Sequence, residues 1–452
     1  MELLYTLIII CIALIGYIKS KSIGITLTAI IIITTFLPPL FILGGKSPSS
    51  ICNYLLILIF IYFKFRDKII KDNIYKSSKK FFLTITIFLF LLALLSYKIP
   101  INTEINYIKQ QLLSFITPFF IVSTFNNKKD FNFIEYIFGI ILIISGVYSI
   151  YCYTIGNNPF GTFIQAYASI NNDNVVSEGF IEEIRGALKG RVQGFTDHPL
   201  TYAGVLISTF YIIFQSYNLK ENRIIKSDIL YIIIIIFTLT CIFMTGSRSG
   251  VISILAGLIY FYYNTKRKSF IFYSIIIILF VFAGSALFIQ DDYIKSIIFF
   301  WEDNQNISGS SKELRINQLY ATFKLIDDNL QSALFGLGNN WCQEYANHNG
   351  LHPELYGFES ILFSGLINYG YIGFFLYYGY IFATFYKFNN KYTINKRARI
   401  HLNSFLITAL CFFIFTGSYG FNLFIISYFI MLRRESFKPQ FNQPHMKNIS
   451  SI

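Results

Sequence analysis

The chain has 452 residues, of which 54% are hydrophobic, 19% aromatic and only 13% charged. So little charge excludes an ordinary soluble protein of this length, which needs charge over most of its surface. The formal net charge of +13 does not indicate nucleic-acid binding, because the basic residues lie in loops between long apolar runs.

The apolar runs predict 12 or 13 membrane-spanning segments. A hydrocarbon core about 30 Å thick requires about 20 apolar residues per helix, and backbone groups inside it must be hydrogen-bonded within the helix. We therefore expect an all-α integral membrane protein, a polytopic bundle. We expect the first span to remain in the mature protein, since the N-terminus lacks the basic segment and the small-residue cleavage site of a signal peptide. The predicted spans are 3–18, 23–43, 51–65, 81–97, 109–125, 132–155, 199–216, 229–245, 250–264, 269–289, 359–386, 402–416 and 420–432, the last two of which form either two helices or one bent element.

Lysine and arginine in short loops predict the orientation of the spans. The segments 66–80 and 387–399 are rich in basic residues, and Lys128, Lys266 and Arg433 begin smaller basic clusters. Such clusters are typical of cytoplasmic loops. The remaining connections, which include two long ones, are expected to face outward.

Two long outer loops divide the chain into five predicted parts. These are N-terminal helices (1–155), a first outer loop (156–198), central helices (199–290), a second outer loop (291–358) and C-terminal helices with a basic cytoplasmic tail (359–452). Long ordered loops in a compact protein are usually functional. In the second loop, helical spacing predicts an amphipathic helix near the membrane surface over Glu313–Asp328. Its apolar residues are Ile316, Leu319, Tyr320, Phe323 and Ile326.

Three arginines in the outward-facing segments predict an anion site. Arg248 occupies a connection of about four residues, Thr245-Gly-Ser-Arg-Ser-Gly250, where Ser247 and Ser249 leave room for a ligand. Arg191 precedes His198 in the first loop, and Arg315 begins the amphipathic helix. Guanidinium groups donate two hydrogen bonds to phosphate oxygens and keep their charge. The alternatives are a lipid-contacting arginine at position 248 and ordinary loop charges at the other two.

Candidate proton-transfer groups lie on the same side of the membrane. An imidazole or a carboxylate there is able to deprotonate a sugar hydroxyl, and the candidates are His198, His348, His352, Glu354 and Glu359. Each alternatively makes a cap or a loop hydrogen bond. No metal-ligand spacing and no phosphate-binding glycine loop occurs in the chain, so we predict neither a metal nor another cofactor.

Four blocks in this order resemble the bacterial O-antigen polymerase and O-antigen ligase superfamily, whose polymerases are called Wzy-type. The resemblance extends over about 190–376, and only hydropathy agrees in the flanking spans. The blocks are Gly190-Arg-Val-Gln-Gly-Phe195 with His198-Pro199, then Thr245-Gly-Ser-Arg248, then Arg315 with Leu334-Phe-Gly-Leu-Gly338, and finally Glu359-Ser360 through Gly370-Tyr-Ile-Gly373.

The resemblance implies a glycosyltransferase of the bacterial plasma (inner) membrane, with its active site facing the periplasm or the cell exterior. Its substrate would be an undecaprenyl-pyrophosphate-linked oligosaccharide, used without a metal. The pyrophosphate would be bound by Arg191, Arg248 and Arg315. The rest of the substrate would be bound by His198, Ser247 and Ser249. Membrane lipid and a chain-length regulator protein are the further partners implied.

The candidate base distinguishes two activities within this superfamily. Ligases resemble one another in a His-Asn or His-Ser pair about 11 residues before the Gly-x-x-Gly element, but this chain has Glu359-Ser360 there. The base is then Glu359, His348 or His352. This departure favours an O-antigen polymerase over a ligase that transfers glycan to the lipid A core or to protein. A flippase for the lipid-linked unit is the third alternative, and it would need charged residues along the middle of its spans.

Overall fold

The computed structural model describes residues 2–36, 51–52, 54–55, 57–58, 73–95, 99–125, 128–163, 191–196, 198–219, 228–265, 312–350, 352–355, 360–393, 395–417 and 420–436. Fourteen helices are numbered here within these residues. They are α1 (Glu2–Ser20), α2 (Ile23–Phe36), α3 (Asn73–Leu95), α4 (Ile101–Thr124), α5 (Lys128–Ile155), α6 (Pro199–Leu219), α7 (Asp228–Met244), α8 (Arg248–Thr265), α9 (Lys312–Ile326), α10 (Leu330–Phe335), α11 (Trp341–Asn349), α12 (Ile361–Tyr392), α13 (Lys396–Thr416) and α14 (Phe421–Ser436).

The helices confirm the predicted class, an all-α polytopic membrane protein. By length and composition, five helices in the described part of the chain can cross a membrane, namely α3, α5, α6, α12 and α13. Three shorter apolar helical stretches lie in α1, α2 and α7. The last two predicted spans are separate helices, because Gly417 and Gly420 between them adopt φ of 85° and 74°. The predicted span 269–289 and most of 51–65 lie outside the described residues.

Close helix packing positions α8, the helix that begins at Arg248. A Cβ atom at Gly257 of α8 would overlap the Thr408 hydroxyl of α13 and the Tyr211 hydroxyl of α6. Ser404 Oγ donates to the Gly257 carbonyl at 2.6 Å across the same contact. Small residues and hydroxyl groups allow membrane helices to approach in this way.

Helix α14 occupies the interior of the bundle. Every residue from Leu423 to Arg433 is buried, and the helix packs against α4, α5, α6, α12 and α13. Aromatic rings fill the space around it. Tyr428, for example, stacks on Phe385 at 4.3 Å between ring centroids, and its hydroxyl donates to the side chain of Asn389.

Charged side chains join several helix termini at one end of the bundle, called here the basic end. Arg434 Nη1 lies 3.1 Å from Glu135 Oε2 of α5 and 2.5 Å from Ser216 Oγ of α6. Arg433 Nε donates to the Phe125 carbonyl, just after α4, at 3.1 Å. This end also carries Lys128 and the described part of the basic segment 387–399, which we expect to face the cytoplasm.

The opposite end, called here the loop end, carries α9, α10 and α11. Gln331 Nε2 donates to the Leu95 carbonyl at the end of α3, and Ser360 Oγ donates to the Ile414 carbonyl near the end of α13. A second small core packs α9 and α11 on the first half of α12. It consists of Ala321, Ile326, Leu337, Cys342, Leu355, Leu366 and Ile367.

Helix α9 forms where the amphipathic helix is predicted, and the residues along it differ in exposure. Ile326 is buried, whereas Ile316 and Tyr320 are 41% and 70% exposed. The polar residues Gln318 and Thr322 are buried instead. The second small core decides the face that is covered, and the spacing of apolar residues alone does not.

Candidate functional site

The first arginine block is fixed to the turn that precedes Arg248. Arg191 Nε donates to the Thr245 carbonyl at 3.0 Å, and the amide of Val192 donates to the Met244 carbonyl at 3.3 Å. The first loop and the α7–α8 connection therefore meet at the loop end. Thr245, the hydrogen-bond partner of Arg191, precedes Arg248 by three residues.

Neighbouring residues hold this arginine block in place. Gly194 adopts φ of +57°, a conformation that favours glycine, and its carbonyl accepts from Asn158 Nδ2. Phe195 stacks on Tyr148 of α5 at 4.3 Å with an interplanar angle of 13°. The Tyr148 hydroxyl donates to Asn158 Oδ1 at 2.7 Å. The block is thus attached to α5 as well as to α7.

Arg248 is the first residue of α8, and Ser247 caps that helix. Ser247 Oγ accepts from the amide of Gly250 at 3.1 Å, as a helix N-cap does. Gly246, with φ of +65°, makes the turn. Ser249 Oγ lies 2.9 Å from Ser247 Oγ. The amide groups at this helix start carry partial positive charge, so Arg191 and the start of α8 form one electropositive region.

His198 has a structural hydrogen bond at the start of α6. Its Nδ1 accepts from the amide of Leu200 at 3.1 Å, so the neutral ring carries its proton on Nε2. The Thr196 hydroxyl donates to the His198 carbonyl at 3.0 Å. His198 therefore caps α6 and offers an N–H group, which suits substrate binding better than proton abstraction.

Arg315 lies in the first turn of α9, on a different element from the other two arginines. Its Nη1 donates to Gln318 Oε1 at 2.9 Å. Gln318 is 4% exposed. The guanidinium group therefore turns toward the covered side of its helix. Helix α9 packs against α12, and near its end Phe323 contacts Tyr371 of α12 at 6.1 Å between centroids.

The third and fourth sequence blocks interlock at a break in α12. Gly370 has φ of +66° and ψ of −175° inside the helix. The amides of Leu337 and Gly338 donate to the carbonyls of Ile367 and Asn368 at 2.8 and 3.2 Å. A Cβ atom at Gly336 would overlap the backbone between Asn368 and Tyr369. Only glycine allows the two backbones to approach this closely.

A buried carboxylate, Glu104 of α4, binds the residue that follows this turn. Glu104 Oε1 accepts from the amide of Asn339 at 3.0 Å, and Asn339 Nδ2 donates to the Leu89 carbonyl of α3 at 3.3 Å. Glu104 is 1% exposed and Asn339 is fully buried. Sequence reasoning missed both residues. The only signal was an acidic residue within the first turn of a helix whose second half is apolar.

Two of the candidate bases lie near the end of α11, and their surroundings differ. His348 Nε2 lies 3.4 Å from Glu344 Oε2, and its side chain is 76% exposed. His352 Nδ1 accepts from the amides of Glu354 and Leu355 at 3.2 and 3.1 Å. Burial lowers the pKa of His352, against a smaller opposite effect of Glu354. In the neutral ring of His352 the proton is on Nε2, so His352 presents a hydrogen-bond donor.

The third candidate base, Glu359, lies outside the described residues, as does the side chain of Arg248. Ser360, the residue after Glu359, caps α12 by accepting from the amide of Leu362 at 3.1 Å.

The fold and the loop end define a helical membrane protein with an electropositive polar site at one end of its bundle. A protein-family model described as O-antigen ligase matches residues 233–378. The match includes the second, third and fourth sequence blocks, and the resemblance to the O-antigen polymerase and ligase superfamily is thereby confirmed. Members of this superfamily are glycosyltransferase-like membrane enzymes. No curated protein matches the chain.

Proposed function

We propose that this protein is an O-antigen polymerase, or a polymerase of a similar surface polysaccharide. It transfers a glycan from undecaprenyl pyrophosphate to the next lipid-linked repeat unit at the outer face of the bacterial plasma membrane. The contact that carries the proposal is the 3.0 Å hydrogen bond from Arg191 to the Thr245 carbonyl, three residues before Arg248. It supports the convergence of two arginines and a helix start on one pyrophosphate.

Glycosyl transfer breaks the bond between the anomeric carbon and the phosphate oxygen, and the electron pair leaves with the pyrophosphate. A hydroxyl oxygen of the acceptor sugar forms the new bond and gives its proton to a base. Fixed guanidinium groups and helix-start amides stabilise the charge that develops on the leaving group. Arg191, Arg248 and Arg315 have this role in the proposal.

His348 and Glu359 are the candidate bases that we favour. The carboxylate of Glu344 lies next to one nitrogen of His348, so the other is available to accept a proton. A carboxylate beside an imidazole orients the ring. His352 is the less suitable base, because two amides occupy its Nδ1. Replacing each of the three candidates by Gln, one at a time, distinguishes them. Only replacement of the true base should abolish glycan transfer while donor binding persists.

Replacing Arg248 by Ala in a host that depends on this protein tests the proposal. We expect long surface glycan chains to disappear and single repeat units to remain. The matched control is Lys391→Ala, which removes one exposed positive charge near the basic end of α12. Unaltered long chains in the Arg248 variant, with the protein present at normal level, would contradict the proposed site.

A ligase remains the second candidate, because the matching family model is described as O-antigen ligase. Loss of a ligase leaves free lipid-linked polymer, whereas loss of a polymerase leaves single units on the surface lipid. A flippase is less consistent with the described charges. The most buried acidic and arginine side chains, Glu104, Asp130, Glu135, Arg433 and Glu435, lie near helix ends and do not line a central path.

A further inference from the structure

Helix α9 buries a polar pair on the side that packs into the molecule. Gln318 is 4% exposed and Thr322 is fully buried, whereas Tyr320 between them is 70% exposed. Thr322 Oγ1 bonds within the helix, to the Gln318 carbonyl at 2.8 Å. A buried amide is costly unless its polar atoms are paired. The side-chain oxygen of Gln318 has its partner in Arg315.

The hydrogen bond between Arg315 and Gln318 matters for an anion site. An amide oxygen accepts a hydrogen bond from a guanidinium group and orients it without cancelling its charge. A carboxylate at the same position would form an ion pair with Arg315 and compete with a phosphate for it. Residues three apart on a helix lie side by side, so Gln318 is placed to fix the direction of Arg315.

We propose that Gln318 is a positioning residue that orients Arg315 toward the pyrophosphate of the lipid-linked donor. This inference rests on the proposed function, in which Arg315 binds that group. Gln318 acts through Arg315 and not on the substrate itself.

The test measures binding of undecaprenyl pyrophosphate to the full-length protein in nanodiscs. Gln318→Glu should raise the Kd at least about tenfold, because the new carboxylate competes for Arg315. Asn317→Glu is the matched control, since it adds the same charge to the exposed side of the same helix. There we expect a change of less than about twofold, because solvent and salt screen the charge.

Combination with Arg315→Ala distinguishes positioning from structural damage. In the Arg315→Ala background, Gln318→Glu should have no further effect on the Kd, whereas general damage to the fold would add to it. Gln318→Leu gives the same test without burying a charge, should the glutamate variant fail to fold. It should weaken binding by about threefold or more, again only when Arg315 is present.

The possible failures are separable. A tight-binding Arg315→Ala variant would overturn the role of Arg315 in the proposed function, and this inference with it. If Arg315→Ala weakens binding but the Gln318 variants bind as the natural protein does, only the inference about Gln318 is wrong. If the Gln318 variants still weaken donor binding when Arg315 is replaced by alanine, the inference about Gln318 is also wrong.

Discussion

Replacement of Gly370 by alanine tests whether the interlock of two glycine turns holds the loop end together. A Cβ atom at this position would lie 2.5 Å from the amide nitrogens of Gly336 and Phe335 and from the carbonyl carbon of Leu334. All three atoms belong to backbone, so no side chain can rotate away. Gly379, on the same helix, has no heavy atom within 4 Å of the corresponding position.

The structure gives the size of the expected effect. A residue with a side chain at the left-handed φ of Gly370 costs about 1–2 kcal/mol, and forcing an atom into a packed interior costs about 1–3 kcal/mol more. We therefore expect Gly370→Ala to lose about 2–5 kcal/mol of stability. Gly379→Ala should instead gain up to about 1 kcal/mol, because alanine favours a helix more than glycine does.

The assay compares both variants with the natural protein. Each is purified in the same detergent, and the midpoint of heat-induced unfolding is measured alongside the length of the surface glycan chains. Gly370→Ala should have the lowest midpoint and produce no long chains, whereas Gly379→Ala should be unaffected or slightly more stable. A Gly370→Ala protein with a normal midpoint and normal chains would refute the interlock.

Three further predictions concern buried groups. Glu104→Leu should lower the free energy of unfolding by about 1–3 kcal/mol, because the buried amide of Asn339 loses its acceptor. Glu104→Gln keeps an acceptor and should unfold at a higher temperature than the leucine variant. Gly257→Val should leave no folded protein in detergent extracts, while Gly139→Val, whose Cβ meets no heavy atom within 4 Å, should be recovered normally. Burial lowers the pKa of His352, so its contribution to stability is complete above its unfolded-state pKa of about 6.5 and falls with pH below that value. His352→Asn should therefore narrow the difference between unfolding temperatures at pH 7 and pH 5, and an unchanged difference would contradict this.

Hydropathy was sufficient to predict the class and most helices, but not where they end. The predicted span 402–416 begins six residues after the observed start of α13 at Lys396. Asn395 caps that helix by accepting from the amide of Arg397, so a basic segment becomes its first turn. Similarly, α12 continues through Lys387 and Lys391 to Tyr392. Hydropathy marks what a membrane covers, whereas capping and hydrogen bonding decide where a helix stops.

The site was predictable where a motif fixes the backbone. The glycines at positions 336 and 370 were singled out in separate blocks, and the structure brings them into contact. Glu104 was not predictable, because its importance depends on Asn339, 235 residues away. The covered face of α9 was not predictable for the same reason, since residues outside the helix contribute to the small core that covers it. The roles of the predicted base and arginine residues stay predictions.

The position of α14 has a consequence for how the bundle is assembled in the cell. This helix follows the thirteen others found in the described part of the chain, yet its side chains from Leu423 to Arg433 are enclosed by helices made earlier. Until it arrives from the ribosome, those helices surround an unfilled slot, and Glu135 lacks the charge of Arg434. Translation stopped after position 416 would leave an open seam in the membrane for proteases to recognise, rather than a shortened protein with a complete interior.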